Sequence, residues 1–146
     1  MHFTKSCIKT VNEGTCPMPL MKIDLIKGRT QTEIQQILDI SYDVMLTTFN
    51  APVGDRYQIV NQHEPYEMQI LDTGLGVTRT NNVVVFTITT RPRTQQQKLA
   101  FYETLVTELH SQLGIRKEDI MFSLVENTDD DWSFFNGEAQ FLNGAL

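Results

Sequence analysis

The sequence predicts an α/β fold in which two tandem strand-helix-strand units form a mainly four-stranded sheet with both helices on one face. Hydrophobic residues alternate from residue 19, two helix-start signals each precede an apolar stripe, and the whole pattern recurs 64 positions later. A helix that connects two strands of one sheet makes them parallel, with a right-handed crossover. We therefore expect two parallel pairs of strands.

The first unit begins with a strand at about residue 19, where apolar and polar side chains alternate. Thr30 followed by Glu33 is a capping-box signature, and apolar residues at helical spacing come after it. This predicts a helix of about twenty residues that stops near Pro52. A turn follows, and residues 57–60 are typical of a second strand.

The second unit has the same order. Residues 83–90 are a β-branched run, Thr94 with Gln97 forms another capping box, and an apolar helical stripe follows. With one constant shift and no gap, these positions match: Arg29 with Arg93, Thr30 with Thr94, Ile37 with Phe101, Phe49 with Leu113, and Asp55 with Asp119. Agreement at the caps, the stripe and the turn favours a duplicated unit over a chance similarity of two amphipathic helices.

Two segments lie outside the repeats. Residues 67–71 are predicted as a short extra strand, followed by a loop at Gly74 and Gly76, and the tail at 132–146 is aromatic but too short to fold alone. Because both helices should cover one face of the sheet, the other face, rich in Met, Val, Ile and Phe, needs a partner. Homo-oligomerisation would supply it.

Composition limits the functional classes. The chain has 40% hydrophobic residues, and its net charge of −6 argues against a general nucleic-acid or anionic-membrane surface, since either needs a positive field. No stretch resembles a membrane span or a secretory signal. We expect a cytoplasmic protein with a polar extension at 1–18 and one domain at 19–146. Cys7 and Cys16 both lie in the extension, so they cannot crosslink that domain.

The tripeptide Arg91-Pro92-Arg93 lies between a predicted buried strand and a helix start, where α/β proteins place ligand sites. Two guanidinium groups beside helix N–H groups suit a carboxylate. The alternative is a pair of solvated arginines facing an acidic surface. Lys27 and Arg29 occupy the matching positions of the first unit, which favours that alternative.

Asp55 lies in a predicted turn, where an aspartate can activate water, steady a cation or hold the turn itself. Its repeat mate Asp119 occupies an equivalent turn, which favours an anchoring role. The histidines are scattered and Asp129-Asp130-Asp131 lacks the glycine and distal glutamate of a calcium loop, so we read that run as a solvated loop. We expect no metal and no organic cofactor.

Several segments in order resemble the malonate semialdehyde decarboxylase group of the tautomerase superfamily. They are residues 19–29, 55–60, 90–94, 125–127 and 131–134. The resemblance covers residues 19–146 and implies a tautomerase-like fold, a homotrimer, a small carboxylate substrate, and catalysis by an amino-terminal proline without metal or organic cofactor.

The resemblance also implies residue roles. Pro19 matches the catalytic proline, Arg91 and Arg93 the paired substrate-binding arginines, and Asp55 the assisting acid. The positions matching the hydrophobic pocket wall are Trp132, Phe134, Phe141 and Leu146, for which core or subunit-interface packing stays an alternative. The implied reaction is decarboxylation of a 3-oxo acid, with hydration as a side activity. The alternatives are tautomerisation of an enolisable 2-keto acid such as phenylpyruvate, and carboxylate binding without catalysis.

One feature departs from the family pattern. Family members begin at the proline, whereas 17 residues precede Met18 here. An acylated Pro19 is a tertiary amide, which can neither hold a proton nor attack a carbonyl. Three explanations compete: translation starts at Met18, the extension is cleaved, or the protein is a binding descendant that has lost the chemistry.

Overall fold

The computed structural model describes Pro17 and residues 19–146; apart from Pro17, the polar extension with Cys7 and Cys16 lies outside them. The main elements are, in order, β1 (Pro19–Ile26), α1 (Gln31–Thr48), β2 (Tyr57–His63), β3 (Val84–Thr90), α2 (Gln95–Leu113) and β4 (Ile120–Glu126). Short 3-10 turns lie at Pro65–Glu67, Lys117–Asp119 and Asp129–Asp131.

The four strands form one sheet in the order β2-β1-β3-β4. Strands β1 and β2 are parallel, β3 and β4 are parallel, and the two pairs meet through antiparallel β1 and β3. The predicted fold is thus confirmed. This topology brings the starts of β1 and β2 to the same edge as the ends of β3 and β4. Pro19 lies opposite Thr90, which in turn lies opposite Glu126.

Both predicted capping boxes are present. The Thr30 hydroxyl accepts the Glu33 N–H at 3.2 Å, and the Glu33 carboxylate accepts the Thr30 N–H at 2.7 Å. Thr94 and Gln97 exchange the same two bonds at 3.1 and 2.9 Å. Each pair satisfies N–H groups that have no partner inside the helix.

Loss of the second cap should be measurable in the stability of the fold. We expect Thr94→Ala to lower the free energy of unfolding by about 1 kcal/mol, because it leaves the Gln97 N–H without its side-chain acceptor. Urea denaturation at fixed protein concentration measures the change. Thr107→Ala, on an exposed face of the same helix, is the control and should not lower stability; equal losses in both variants would contradict the role of the cap.

The core lies between the helices and one face of the sheet. Alternate strand residues point into it: Met21, Ile23, Leu25, Val84, Phe86 and Ile88, each at most 1% exposed. Helix α2 adds Phe101, whose ring stacks on Phe49 with centroids 4.8 Å apart. The Phe101 ring also meets Phe122 edge-on at 5.6 Å. The sheet and both helices therefore share one aromatic centre.

Two expectations about the segments outside the repeats need correction. Residues 67–71 form no strand: Pro65 begins a 3-10 turn closed by a capping box between Glu64 and Glu67, and the residues that follow pair with no strand of the described sheet. A proline and a local box favour a turn over extended pairing.

The open face of the sheet also differs in composition from the expectation. It carries Leu20, Ile59, Val85, Met121 and Val125, mixed with Lys22, Asp24 and His63. The strand phenylalanines, Phe86 and Phe122, belong to the helix side. Within the described residues, no helix is long and apolar enough to cross a membrane.

Candidate active site

One edge of the sheet brings together the residues predicted to form the site. Pro19, the first residue of β1, is buried and lies opposite Thr90, the last residue of β3, so Arg91 follows at the same edge. Asp55 comes two residues before β2, which starts at this edge because it is parallel to β1. The two arginines are 6% and 3% exposed, which rules out the solvated alternative.

Arg93 donates hydrogen bonds to backbone and hydroxyl oxygens. Its Nε donates to Thr90 Oγ1 at 2.9 Å, Nη1 to the Phe49 carbonyl at 2.7 Å, and Nη2 to the Pro17 carbonyl at 3.5 Å. The Phe49 ring also lies against the guanidinium: its centre is 5.0 Å from the guanidinium carbon of Arg93. The residue ahead of Met18 thus reaches the same guanidinium.

Burial and the charge of Arg91 lower the pKa of Arg93 to about 10, while the carboxylates of Asp55 and Glu126 oppose the shift. Arg93 therefore stays cationic at neutral pH, within electrostatic reach of Asp55. A hydrogen bond from Lys98 holds the pKa of Glu126 below its ordinary value, and the two side chains form an ion pair at 2.5 Å.

Arg91 is held by a carboxylate instead. Its Nε and Nη2 both donate to Asp129 Oδ1 at 2.8 Å, and the Phe141 ring centre lies 4.2 Å from the guanidinium carbon. We read residues 129–131 as a solvated loop from the sequence, and this is wrong for Asp129. The sequence did not predict this ion pair because Asp129 and Arg91 are 38 residues apart, a spacing that matches no local motif.

The repeat mates at the opposite edge have structural roles. Asp119 is fully buried and accepts the N–H and hydroxyl of Thr80 at 2.7 and 2.6 Å, which anchors the loop before β3. Arg29 donates to the Asn82 carbonyl at 2.5 Å, and Lys27 pairs with Glu64. The duplication therefore makes two similar edges, and the proline with the paired arginines belongs to one.

The C-terminal tail folds across the site. The Asn127 N–H donates to the Thr90 carbonyl at 2.9 Å, and its side-chain oxygen accepts Trp132 Nε1–H at 2.7 Å. Trp132 stacks on Phe134 at 5.5 Å, and Phe134 meets the Phe141 ring edge-on at 5.5 Å. Three of the four predicted wall residues thus form one cluster.

Tyr57 joins this cluster, with its ring 5.9 Å from that of Phe134. Buried Gln140 ties the tail together by accepting the Phe134 N–H at 2.8 Å and donating to the Phe135 carbonyl at 2.9 Å. Leu146, the fourth predicted wall residue, is 58% exposed in the single chain. The edge therefore offers two buried cations, nearby carboxylates and an aromatic wall, a setting that suits a small organic anion. Within the part of the chain that the structure describes, no three His, Cys, Asp or Glu side chains group as a metal site requires.

Comparisons with known proteins agree with this geometry. A family model described as "Tautomerase enzyme" matches residues 55–135. A relative from Bacillus subtilis (strain 168), "Probable tautomerase YrdN", is 46% identical over 129 residues, which cover 88% of this chain and 100% of the relative. "Probable tautomerase YusQ" from the same strain is 36% identical over 126 residues, covering 86% of this chain and 99% of that one.

Solved structures give the same answer. A malonate semialdehyde decarboxylase, studied for its decarboxylase and hydratase activities, is 46% identical with a TM-score of 0.83, covering 87% of this chain and 98% of its own. A second, FG41 malonate semialdehyde decarboxylase inhibited by 3-bromopropiolate, is 31% identical with a TM-score of 0.81 over 87% and 97% of the two chains. A fused 4-OT symmetric trimer shares the fold at 18% identity, with a TM-score of 0.69 over 85% and 98%.

Proposed function

The chain belongs to the tautomerase superfamily, and from that premise we propose that it is a cofactor-independent lyase that decarboxylates a small 3-oxo acid such as malonate semialdehyde. The observation that carries the proposal is the convergence of Pro19, Asp55, Arg91 and Arg93 at one sheet edge. The 46% identity to a malonate semialdehyde decarboxylase supports the choice of substrate.

The arginines would bind the substrate carboxylate. Two guanidinium groups can align the bond that breaks with the π system of the neighbouring carbonyl, so that electrons flow into it as carbon dioxide leaves. The resulting enolate takes a proton on carbon, and malonate semialdehyde would yield acetaldehyde and carbon dioxide. The rings of Trp132, Phe134 and Phe141 would keep water from the reacting atoms.

Pro19 would activate the carbonyl. A protonated secondary amine donates a hydrogen bond to the carbonyl oxygen, and a neutral one can form an iminium; either draws electrons from the breaking bond. Asp55 would favour the ammonium form, opposing the arginines, which disfavour it. The proposal therefore requires Pro19 to be the amino terminus of the working enzyme.

We propose further that the protein works as a cytoplasmic homotrimer. A solved relative of the same fold is a symmetric trimer. The apolar residues on the open sheet face would gain cover from a second copy.

The first test is turnover by protein verified to begin at Pro19. We expect it to release acetaldehyde from malonate semialdehyde, and Arg91→Ala to lower kcat/KM by about 10²-fold, because a charge-assisted contact to the carboxylate is lost. Lys27→Ala, the repeat mate at the opposite edge, is the matched control and should retain activity. Absence of turnover would end the lyase assignment, and turnover that Arg91→Ala leaves unchanged would end the proposed role of the arginine.

A second candidate is a tautomerase acting on an enolisable 2-keto acid such as phenylpyruvate; the names of both bacterial relatives, each a probable tautomerase, favour this reaction class. There the proline must be neutral to act as a base. The pH profile separates the two reactions: an activity that needs the ammonium falls as pH rises through the pKa of the amine, and base catalysis rises.

If cell-derived protein retains residue 1 by intact mass and binds carboxylates without turnover, the non-catalytic alternative is correct.

A further inference from the structure

We infer that Asp129 is a specificity-determining residue that neutralises Arg91 and so tunes the site to substrates with one carboxylate rather than two. The inference rests on the proposed binding of a carboxylate at the paired arginines. It would explain why the preferred substrate carries a single negative charge.

The contact between the two side chains is close and shielded. Both Nε and Nη2 of Arg91 donate to one oxygen of Asp129 at 2.8 Å, and the two side chains are only 7% and 13% exposed. Water and salt screen such a pair far less than an exposed one. A ligand that binds to Arg91 therefore interacts with the negative charge of Asp129 as well.

Of the three aspartates in the 3-10 turn, only Asp129 is directed toward Arg91. Asp130 and Asp131 direct their carboxylates to Thr128, at 2.5 Å from its hydroxyl and 2.8 Å from its N–H. Asp129 starts the 3-10 turn and is aimed at Arg91. The acidic run thus contributes one carboxylate to the site.

The formal charges at this edge lead to the inferred preference. Arg91 and Arg93 are opposed by Asp129 and Asp55, while Glu126 is paired with Lys98. These formal charges cancel, so a protonated Pro19 amine would leave one net positive charge, which matches a monocarboxylate. A second carboxylate on the ligand would add a charge that Asp129, in contact with Arg91, repels, and like charges repel strongly where screening is weak.

Asp129→Asn tests this assignment, since it keeps an oxygen acceptor for Arg91 and removes the charge. The probes are propionate and malonate, which have three carbons each but one and two carboxylates. Calorimetric titration of protein beginning at Pro19, which contains every strand and helix of the described fold, gives both dissociation constants. We expect the variant to shift the binding ratio about tenfold toward malonate, with propionate affinity changed less than about threefold.

Asp130→Asn in the same turn is the matched control and should leave the ratio unchanged. An unchanged ratio in Asp129→Asn would overturn the inference, and so would an equal weakening of both ligands, because Asp129 would then only position Arg91. Should Asp129→Asn fail to fold, the same two dissociation constants measured for Asp129→Ser and for the unmodified protein test the inference. An unmodified protein that prefers malonate by more than about tenfold, or binds neither ligand, overturns the inference.

Binding needs no turnover, so the inference and the proposed function fail separately. A protein that shows the expected ratio shift but does not decarboxylate malonate semialdehyde would retain the charge assignment and lose the lyase assignment.

Discussion

Protein that begins at Pro19 should lose about 10²- to 10⁴-fold in kcat/KM when a single glycine is added ahead of that proline, the range attributed to a positioned acid or base. Acylation converts the ring nitrogen from a basic secondary amine into a tertiary amide, which has no proton to give and whose lone pair is delocalised into the carbonyl. The rest of the site, including Arg91 and Arg93, stays intact.

The measurement compares steady-state decarboxylation by the two proteins and by the full chain, with each N-terminus verified by intact mass. Propionate binding is the control: the contacts of a carboxylate with Arg91 and Arg93 should remain, so loss of the ammonium charge should weaken propionate binding far less than it lowers turnover. Equal turnover by all three forms would show that the amine is not the catalyst, even if the arginines prove essential.

Phe101→Ala should lower the free energy of unfolding by about 3–5 kcal/mol, which is the usual range for truncating a fully buried phenylalanine. Phe101 is 0% exposed and packs against Phe49, Tyr102 and Phe122. Its removal leaves a cavity where the helices meet the sheet. Because the Phe49 carbonyl receives a hydrogen bond from Arg93, activity should fall as well.

Urea denaturation at a fixed protein concentration measures the change, since self-association would otherwise alter the apparent stability. Leu99→Ala is the control on the same helix, because Leu99 is 56% exposed and should change stability by less than about 0.5 kcal/mol. A loss below about 1 kcal/mol for Phe101→Ala would contradict the shared aromatic centre.

The predictable part of this protein is the part encoded at short range. Alternation in β1, the capping boxes at Thr30 and Thr94, and the helical stripes depend on residues two to four apart, and the structure has all of them. The strand predicted at residues 67–71 was wrong because its only signal was composition, and these residues follow a turn that begins at Pro65.

For the candidate site, the sequence named residues but not how they are arranged. The resemblance pointed to Pro19, Asp55, Arg91 and Arg93, and the topology of the sheet brings them to one edge. The repeat favoured an anchoring role for Asp55 and Asp119, and Asp119 does anchor the loop before β3 by accepting two hydrogen bonds from Thr80. Asp119 acquires this role through a partner 39 residues away, which no local spacing indicates.

The sequence by itself determined the duplicated strand-helix-strand order, because helix caps and hydrophobic periods act within a few residues. Only the tertiary structure decided that Asp129 pairs with Arg91 and that Phe141 of the tail lies over the Arg91 guanidinium. These contacts join segments far apart in the chain, and their geometry depends on how the sheet edge, the 3-10 turn and the tail pack together.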